Sequence, residues 1–348
     1  MPGATYTSPA QRIGKLKGEI LVHAMPHEVL SLGMGNKQMP KNGGKTMIYR
    51  RWLPYGATTT NQNTINRWTV DYVAHITQEG VTPNADSLTP NDVEVQMQQF
   101  SCLYAVTDQM MDLHEDGAEI PTEMKAQTGE RMGLVREMLR YGVLKAGTLR
   151  FFSGGTSRGT VDEPISLNLL RKVTRTLKAN HAKTVTSILT SDARYGTQAV
   201  EASYLVFGGV ELEHDCRQLP GFKETVDYGQ RRVMSEHEIG SCENFRFILS
   251  AELAGIPDSG AAVGSTGLQS TTGSNIDVFP VIVMAKEAAY DVALRGTKAL
   301  DPTWLPPGQK DKNDPLGQRG YIGAKFYSAA FVANNGWMAV IEAGVTNL

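Results

Sequence analysis

The feature that most constrains this chain is a pair of strand-like runs separated by a stretch too poor in apolar residues to build a core. Thr46 to Leu53 (TMIYRRWL) reads as one strand. Val93 to Phe100 (VEVQMQQF) reads as its return partner. There Val93, Val95 and Met97 alternate with Glu94, Gln96 and Gln98, the period of a strand with one face covered. About 40 residues rich in Thr, Asn, Gly and Pro lie between them, far more than an ordinary connection needs. A two-stranded hairpin standing alone is marginally stable in water. The excursion is therefore expected to gain its order from another subunit.

The remaining segments read as a mixed α+β chain. Residues 1–44 carry few large apolar side chains, with Gly14 and Gly18 weakening a short helix over Arg12–Leu21, so they read as an arm that packs on something else. Thr122 to Leu149 reads as the longest helix, with Pro121 suited to its first turn. Its apolar stripe is Met124, Thr128, Met132, Val135, Leu139, Val143 and Ala146; Lys125, Glu130, Arg131, Arg136, Glu137 and Arg140 supply polar positions around it. A second helix, Leu167 to Asn180, puts Leu167, Leu170, Val173 and Leu177 on one face. Strand-like runs follow at Val185–Thr190, Tyr204–Val210, Phe245–Ser250 and Val278–Ala285, then a helix at Lys286–Leu294 with Gly296 placed to end it. Residues 255–275 are Gly/Ser/Thr-rich and read as a flexible surface loop, and the prolines of 301–320 as a stiff connection. Tyr321–Ala333 and Trp337–Glu342 flank Asn334-Asn335-Gly336, a hairpin signal. The first of these strands is apolar on both faces and should be covered on both sides.

Chemical motifs are scarce. Gly44-Lys45-Thr46 ends like a phosphate-binding loop, but the earlier glycine of that motif is replaced by Met39 and a strand follows where a helix is needed. His23 and His27 are four apart with Pro26 between them, which breaks a shared helical face. Glu211 and His214 fall in a run that reads as extended, so they should face opposite sides. No Gly-x-Ser-x-Gly elbow occurs, and Glu236 and Glu238 read as an ordinary polar strand face. Neither a catalytic residue, a cofactor site nor a metal site is expected. Cys102, Cys216 and Cys242 are odd in number and widely spaced, which fits buried thiols in a reducing compartment. The start has no continuous apolar h-region and no apolar run is long enough to span a bilayer, so a chain made and kept in the cytosol, away from membranes, is expected. The balance of 34 basic and 36 acidic residues excludes the basic excess of a dedicated nucleic-acid binder. One local exception exists. Arg171, Lys172, Arg175, Lys178 and Lys183 lie between Glu163 and Asp192 with no acid among them. That run is a solvated helix face, or a face turned towards DNA and bound through phosphate without base reading.

Two stretches carry a family resemblance. One is YLVFGGVELEHDCRQLPGFKETVDYGQRRVMSEHEIGSCENFRFILSAEL, starting at Tyr204; the other is DPLGQRGYIGAKFYSAAFVANNGWMAVIEAG, Asp314 to Gly344. They resemble the major capsid protein family of tailed phages typified by the short-tailed phage N-four. GGKTMIYRRWLP (Gly43 to Pro54), GVTP (Gly80 to Pro83) and Val106–Asp108 are similar to it as well. The resemblance implies the Hong Kong 97-like coat fold: an N-terminal arm at 1–44, an extended loop at 45–100, a peripheral domain with a spine helix at 101–184 and 301–348, and an axial domain at 185–300. It implies no enzyme and no catalytic residue. It implies a subunit that assembles with itself into hexamers and pentamers of an icosahedral shell around double-stranded DNA. Such a shell is put together in the host cytoplasm and found in the virion. A portal protein is an expected partner, and scaffolding and decoration proteins are further candidates. Arg50, Arg51, Arg67 and Glu79, on or near the extended loop, are the expected inter-subunit ion-pair residues. Arg171, Lys172, Arg175 and Lys178 are the expected lumen-facing basic residues. Two other functions compete with this one: an encapsulin-like cellular nanocompartment shell, and a cytosolic α+β enzyme with an unrecognised site.

Overall fold

The computed structural model describes residues 28–54, 72–80, 82, 85, 87–113, 120–185, 202–228, 233–264, 266–296, 300–310, 312 and 314–348. In chain order these contain β1 (Gly35–Met39), β2 (Thr46–Trp52), β3 (Pro90–Gln96), β4 (Gln98–Thr107), α1 (Asp108–Leu113), α2 (Ile120–Lys145), β5 (Arg150–Phe152), α3 (Leu167–Ala179), β6 (Tyr204–Gly208) and α4 (Glu213–Arg217). Then come β7 (Lys223–Glu224), β8 (Glu238–Cys242), β9 (Phe245–Leu249), β10 (Phe279–Met284), β11 (Ala289–Leu294), β12 (Asp301–Leu305), β13 (Arg319–Val332) and β14 (Met338–Ala343).

Two sheets organise the molecule. The larger has seven strands in the order β5-β14-β10-β6-β9-β8-β7. Its four central strands, β14, β10, β6 and β9, are buried along their whole length, as strands covered on both faces must be. Alternate side chains of β10 divide between two cores. Val281 and Val283 face α3, with Leu170, Val173 and Leu177. Ile282 and Met284 face the C-terminal half of α2, with Tyr141, Leu144 and Leu30. The two helices thus cover opposite faces of one sheet. The second sheet is centred on the 14-residue β13, which pairs with β4, β11 and β12, while β1 pairs with β11. β13 is packed on both faces, as its apolar pattern predicts. Ala324 and Phe326 meet Met132 of α2, whereas Phe331 meets Met39, Val95 and Val292. β2 and β3 form the expected antiparallel hairpin, Thr46 opposite Gln96 and Trp52 opposite Pro90. Its return run breaks at Met97 and continues as β4.

Several expectations are corrected. Residues 289–294 are strand β11 and not a helix. Helix-forming Ala and Leu are overridden because the segment is held by β1 on one side and β13 on the other, with Tyr290 stacked on Phe331 at 5.7 Å. Asn334-Asn335-Gly336 does not make a hairpin. The Asn334 side chain accepts from Gly336 N at 3.0 Å, and the turn carries the chain from one sheet to the other, so β14 pairs with β10 and β5. Residues 301–305 are strand β12; Pro302 is tolerated because this is an edge of the sheet. The Gly/Ser/Thr-rich segment 255–275 is stitched down by bridges to Val278 and Thr346, and its Leu268 is buried. Asp277 accepts Asp258 N and the Thr271 hydroxyl beneath it. Residues 210–217 are helical, a 3-10 turn running into α4, so Glu211 and His214 are not on opposite sides of a strand.

The long helix also differs in its buried face. α2 ends at Lys145, with Arg150 donating to the Lys145 and Gly147 carbonyls at its end. Thr128 and Met132 are buried as the stripe requires, but further along the buried positions are Glu137, Arg140, Tyr141 and Leu144, while Ala146 is exposed. Two residues read as polar flanks are therefore core. They can be so because partners from outside the helix neutralise them.

Candidate assembly surfaces

The hairpin β2–β3 has one covered face and one open face. Met47, Tyr49, Val93 and Val95 pack on the core of β11 and β13, with Tyr49 stacked on Phe331 at 4.9 Å. The opposite face carries Ile48, Arg50 and Trp52 against Glu94, Asp92 and Pro90. Ile48 is 61% exposed and Trp52 54%. Beyond the hairpin the exposed apolar residues continue with Tyr72, Val73, Ile76 and Leu88. Exposed apolar side chains of this size make the hairpin face a candidate contact surface.

The predicted ion-pair residues have different fates. Arg50 is bound within its own chain: Nε and Nη2 each donate to Asp92 at 2.8 Å across the hairpin. That carboxylate raises the arginine pKa and is itself lowered by the pair. Arg50 therefore braces the hairpin within its own chain, with its side chain still 54% exposed. Arg51 is half-buried on the covered side, where burial lowers its pKa. Glu79 is exposed. Arg67 lies outside the described residues, as do His23 and His27.

A second arrangement fixes the start of the described chain onto the long helix. Glu137 accepts the backbone N–H of Val29 at 2.9 Å and of Leu30 at 2.8 Å through one carboxylate oxygen. Arg140 donates to Glu28 at 2.7 Å, to Glu137 at 3.3 Å and to Asp291 at 2.7 Å. Burial pushes the Glu137 carboxyl above the ordinary range, against the pull of those donors. One arginine thus ties together Glu28, the helix and β11.

The basic run lies on α3 as expected. Leu170, Val173 and Leu177 face inward, while Arg171, Lys172, Arg175 and Lys178 are exposed on the other side. Arg171 is already paired, with Glu243 at 2.6 Å.

The sequence gives little sign of two buried carboxylate sites. Glu238, assigned to a polar strand face, is buried in β8. It accepts from Tyr228 Oη at 2.6 Å, from Met234 N at 2.7 Å and from Arg246 at 3.3 Å, and Arg246 also sits over the Tyr228 ring. Glu342, near the C-terminal end of β14, accepts from Arg150 at 2.8 Å and Arg158 at 2.7 Å. A charge inside an apolar strand run is the only signal of such a site, and its partner is remote in sequence. These groups staple segments together and offer no reacting centre. The buried Cys216 and Cys242 have pKa values raised by burial, so neither is a ready thiolate. Among the described residues no cluster of three metal-ligating side chains occurs, and no helix is long and apolar enough to cross a membrane.

The fold as a whole is similar to known structures. It superposes on the cyanophage Pam1 capsid asymmetric unit with a TM-score of 0.60, at 14% identity, covering 100% of both chains. The capsid of Ralstonia phage GP4 gives 0.60 at 12% identity, covering 100% of this chain and 99% of that one. This is the Hong Kong 97-like coat fold. A third example of that fold, the head structure of Helicobacter pylori bacteriophage KHP40, gives 0.58 at 11% identity over 97% and 96% of the two chains. By sequence, the chain is 21% identical over 344 residues to the major capsid protein of Pseudomonas phage KPP21, covering 87% of this chain and 85% of that one. The chain matches no protein-family model. These likenesses bear on the coat fold and not on the narrower N-four type.

Proposed function

We infer that the chain is the major capsid protein of a tailed bacteriophage, a structural and non-enzymatic subunit of the virion shell. The observation that carries this reading is the match of nearly the whole chain to phage coat structures, together with an apolar hairpin face that no described residue covers. Subunits of this kind associate head to tail, and closed rings form when the rotation between neighbours closes. The rings are the hexamers and pentamers of the shell. The hairpin and the residues beyond it, 45–100, act as the extended loop over a neighbouring subunit, and residues 1–44 as the arm. The peripheral part is built on α2 and the β13 sheet, the axial part on the seven-stranded sheet. β5 and β14 carry segments of the peripheral part into the axial sheet, so the two parts are joined through that sheet. A portal protein, and scaffolding or decoration proteins, are partners of the assembled shell and not of the lone subunit. Glu79 and Arg67 remain inter-subunit candidates. Each exposed pair would contribute only about 0–1 kcal/mol, but many such contacts per subunit act together.

The exposed side of α3 is the proposed face towards packaged DNA. Lys172, Arg175 and Lys178 are the residues that count, since Glu243 neutralises Arg171. Contacts to phosphate are sequence-independent and salt-sensitive. Reversing those three charges to Glu is expected to leave empty shells intact and to lower the DNA content or salt tolerance of filled particles. Genome content by absorbance ratio and particle survival across a salt series measure this. Unchanged filled particles would remove the role.

A further inference from the structure

The strand that follows the hairpin has one edge that no described residue pairs. β4 lies against β13 along its 10 residues, from Gln98 opposite Ser328 to Thr107 opposite Arg319. The ladder runs one step further, where Asp108 N donates to the Gln318 carbonyl at 3.0 Å. Successive N–H groups of a strand point to alternate sides. Those of Phe100, Cys102, Tyr104 and Val106 therefore face β13, and those of Gln99, Ser101, Leu103 and Ala105 face outward. Among the described residues β4 pairs with β13 alone, and no other backbone bond reaches those four outward groups. The side chains divide in the same way. Phe100 stacks on Phe326 at 5.4 Å, and Arg131 of α2 lies over the Tyr104 ring at 6.0 Å. On the other face Gln99, Ser101 and Leu103 are exposed, Leu103 at 63%.

A long open edge is a template for another strand, and proteins ordinarily guard it with a charge or a proline. Every other edge strand among the described residues carries one: Lys37 in β1, Pro302 in β12, Arg150 in β5, Lys223 in β7, Arg50 in β2 and Asp92 in β3. β4, QQFSCLYAVT, has neither. That difference selects its occupant. A charged edge set against its own copy brings like charges together, whereas β4 brings none. A second β4 therefore offers what no other described edge offers, an uncharged strand of equal length. Set antiparallel about a two-fold axis at Cys102, the pair puts Leu103 opposite Ser101 and Gln99 opposite Ala105. All four outward N–H groups then meet a carbonyl, and the two Leu103 side chains become diagonal neighbours on the exposed face.

We propose that the outer edge of β4 pairs with the same edge of a second copy, making one continuous sheet across a two-fold contact. Such a contact is isologous, the same surface on both subunits, while the ring contacts of the coat reading are heterologous. It therefore joins one ring to the next. The inference rests on the coat reading for the rings, and on the β4 edge for the link between them.

The test uses the full chain. Leu103→Pro removes an outward N–H and no bond to β13, and proline is accepted on an edge strand. Leu103→Lys keeps that N–H and sets two like charges close to the axis, so it serves if the proline variant fails to fold. Electron microscopy of the folded variant is expected to show hexamers and pentamers without closed shells. Normal closed shells would overturn the proposal, and loss of the rings as well would overturn it by placing β4 within the ring. A parent chain that forms β4-linked dimers but no rings would contradict the coat reading and leave the pairing standing. The pairing itself is read with photo-reactive p-benzoylphenylalanine at Leu103, after heavy- and light-isotope proteins are mixed, irradiated and mapped by mass spectrometry. Heavy-to-light crosslinks to residues 98–107 are expected. Heavy-to-light crosslinks to another segment, or crosslinks within one chain only, would overturn it. In the parent chain, amide exchange at Gln99, Ser101, Leu103 and Ala105 should slow about a hundredfold on assembly, and unchanged exchange would count against the pairing.

Discussion

Deleting residues 56–88 and closing the gap with a short Gly-Ser turn is expected to abolish closed shells while leaving a folded subunit. The base of the hairpin survives this deletion. Thr46 to Trp52 still pair with Pro90 to Gln96, and Leu53 N still donates to the Thr89 carbonyl at 2.9 Å. Tyr49, Val93 and Val95 stay packed on the β11 and β13 core. What is lost includes Tyr72, Ile76 and Leu88, which are 78%, 64% and 75% exposed and so contribute little to the lone subunit. Surface changes of this kind alter stability by less than about 1 kcal/mol, and shortening the loop lowers its closure entropy. Assembly is another matter. On the coat reading the same residues present the apolar area that a neighbour would cover, and removing it would take one contact from every subunit in a ring. Circular dichroism and urea unfolding check the first half of the expectation, and electron microscopy the second. Normal particles from the deleted chain would show that the excursion has no part in assembly.

Arg246→Ala is expected to produce the largest loss of subunit stability among single changes, about 3–5 kcal/mol, because it strands a buried carboxylate. Arg246 and Glu238 have side-chain exposures of 2% and 0%, so no water stands ready to replace the guanidinium. Tyr228 Oη and Met234 N still donate to Glu238, and Arg246 also covers the Tyr228 ring, so both charge pairing and packing are lost together. Adding Glu238→Gln should recover part of the loss, since the stranded charge is then gone. Urea unfolding of the two single variants and the double variant measures this. A loss below about 1 kcal/mol for Arg246→Ala would show that the local structure relaxes around the charge.

The elements most legible in the sequence were those whose signal is local. The β2–β3 hairpin, the inward face of α3 and the run of β10 all follow from periodicity. Residues 289–294 misled because their composition favours a helix while their partners, β1 and β13, lie far away in sequence. Asn334-Asn335-Gly336 correctly marked a turn, but a turn signal does not say which sheet receives the next strand. The exposed basic face of α3 was readable because a helix with a clear inward stripe leaves only one outward side. Arg50 was placed on the hairpin correctly, yet its bond to Asp92 depends on strand register. Glu137, Arg140, Glu238 and Glu342 were unreadable for one physical reason. A buried charge is recognised by its partner, and each partner comes from another element: Val29, Asp291, Arg246 or Arg158.

The measurement that most directly tests the central claim is sedimentation with negative-stain microscopy of the purified full chain, alone and with candidate scaffolding protein. The coat reading predicts hexamers, pentamers, capsomer sheets or closed shells, with an open-faced hairpin covered by the next subunit. A monomer or dimer that persists at every protein and salt concentration, with or without the scaffold, would contradict it.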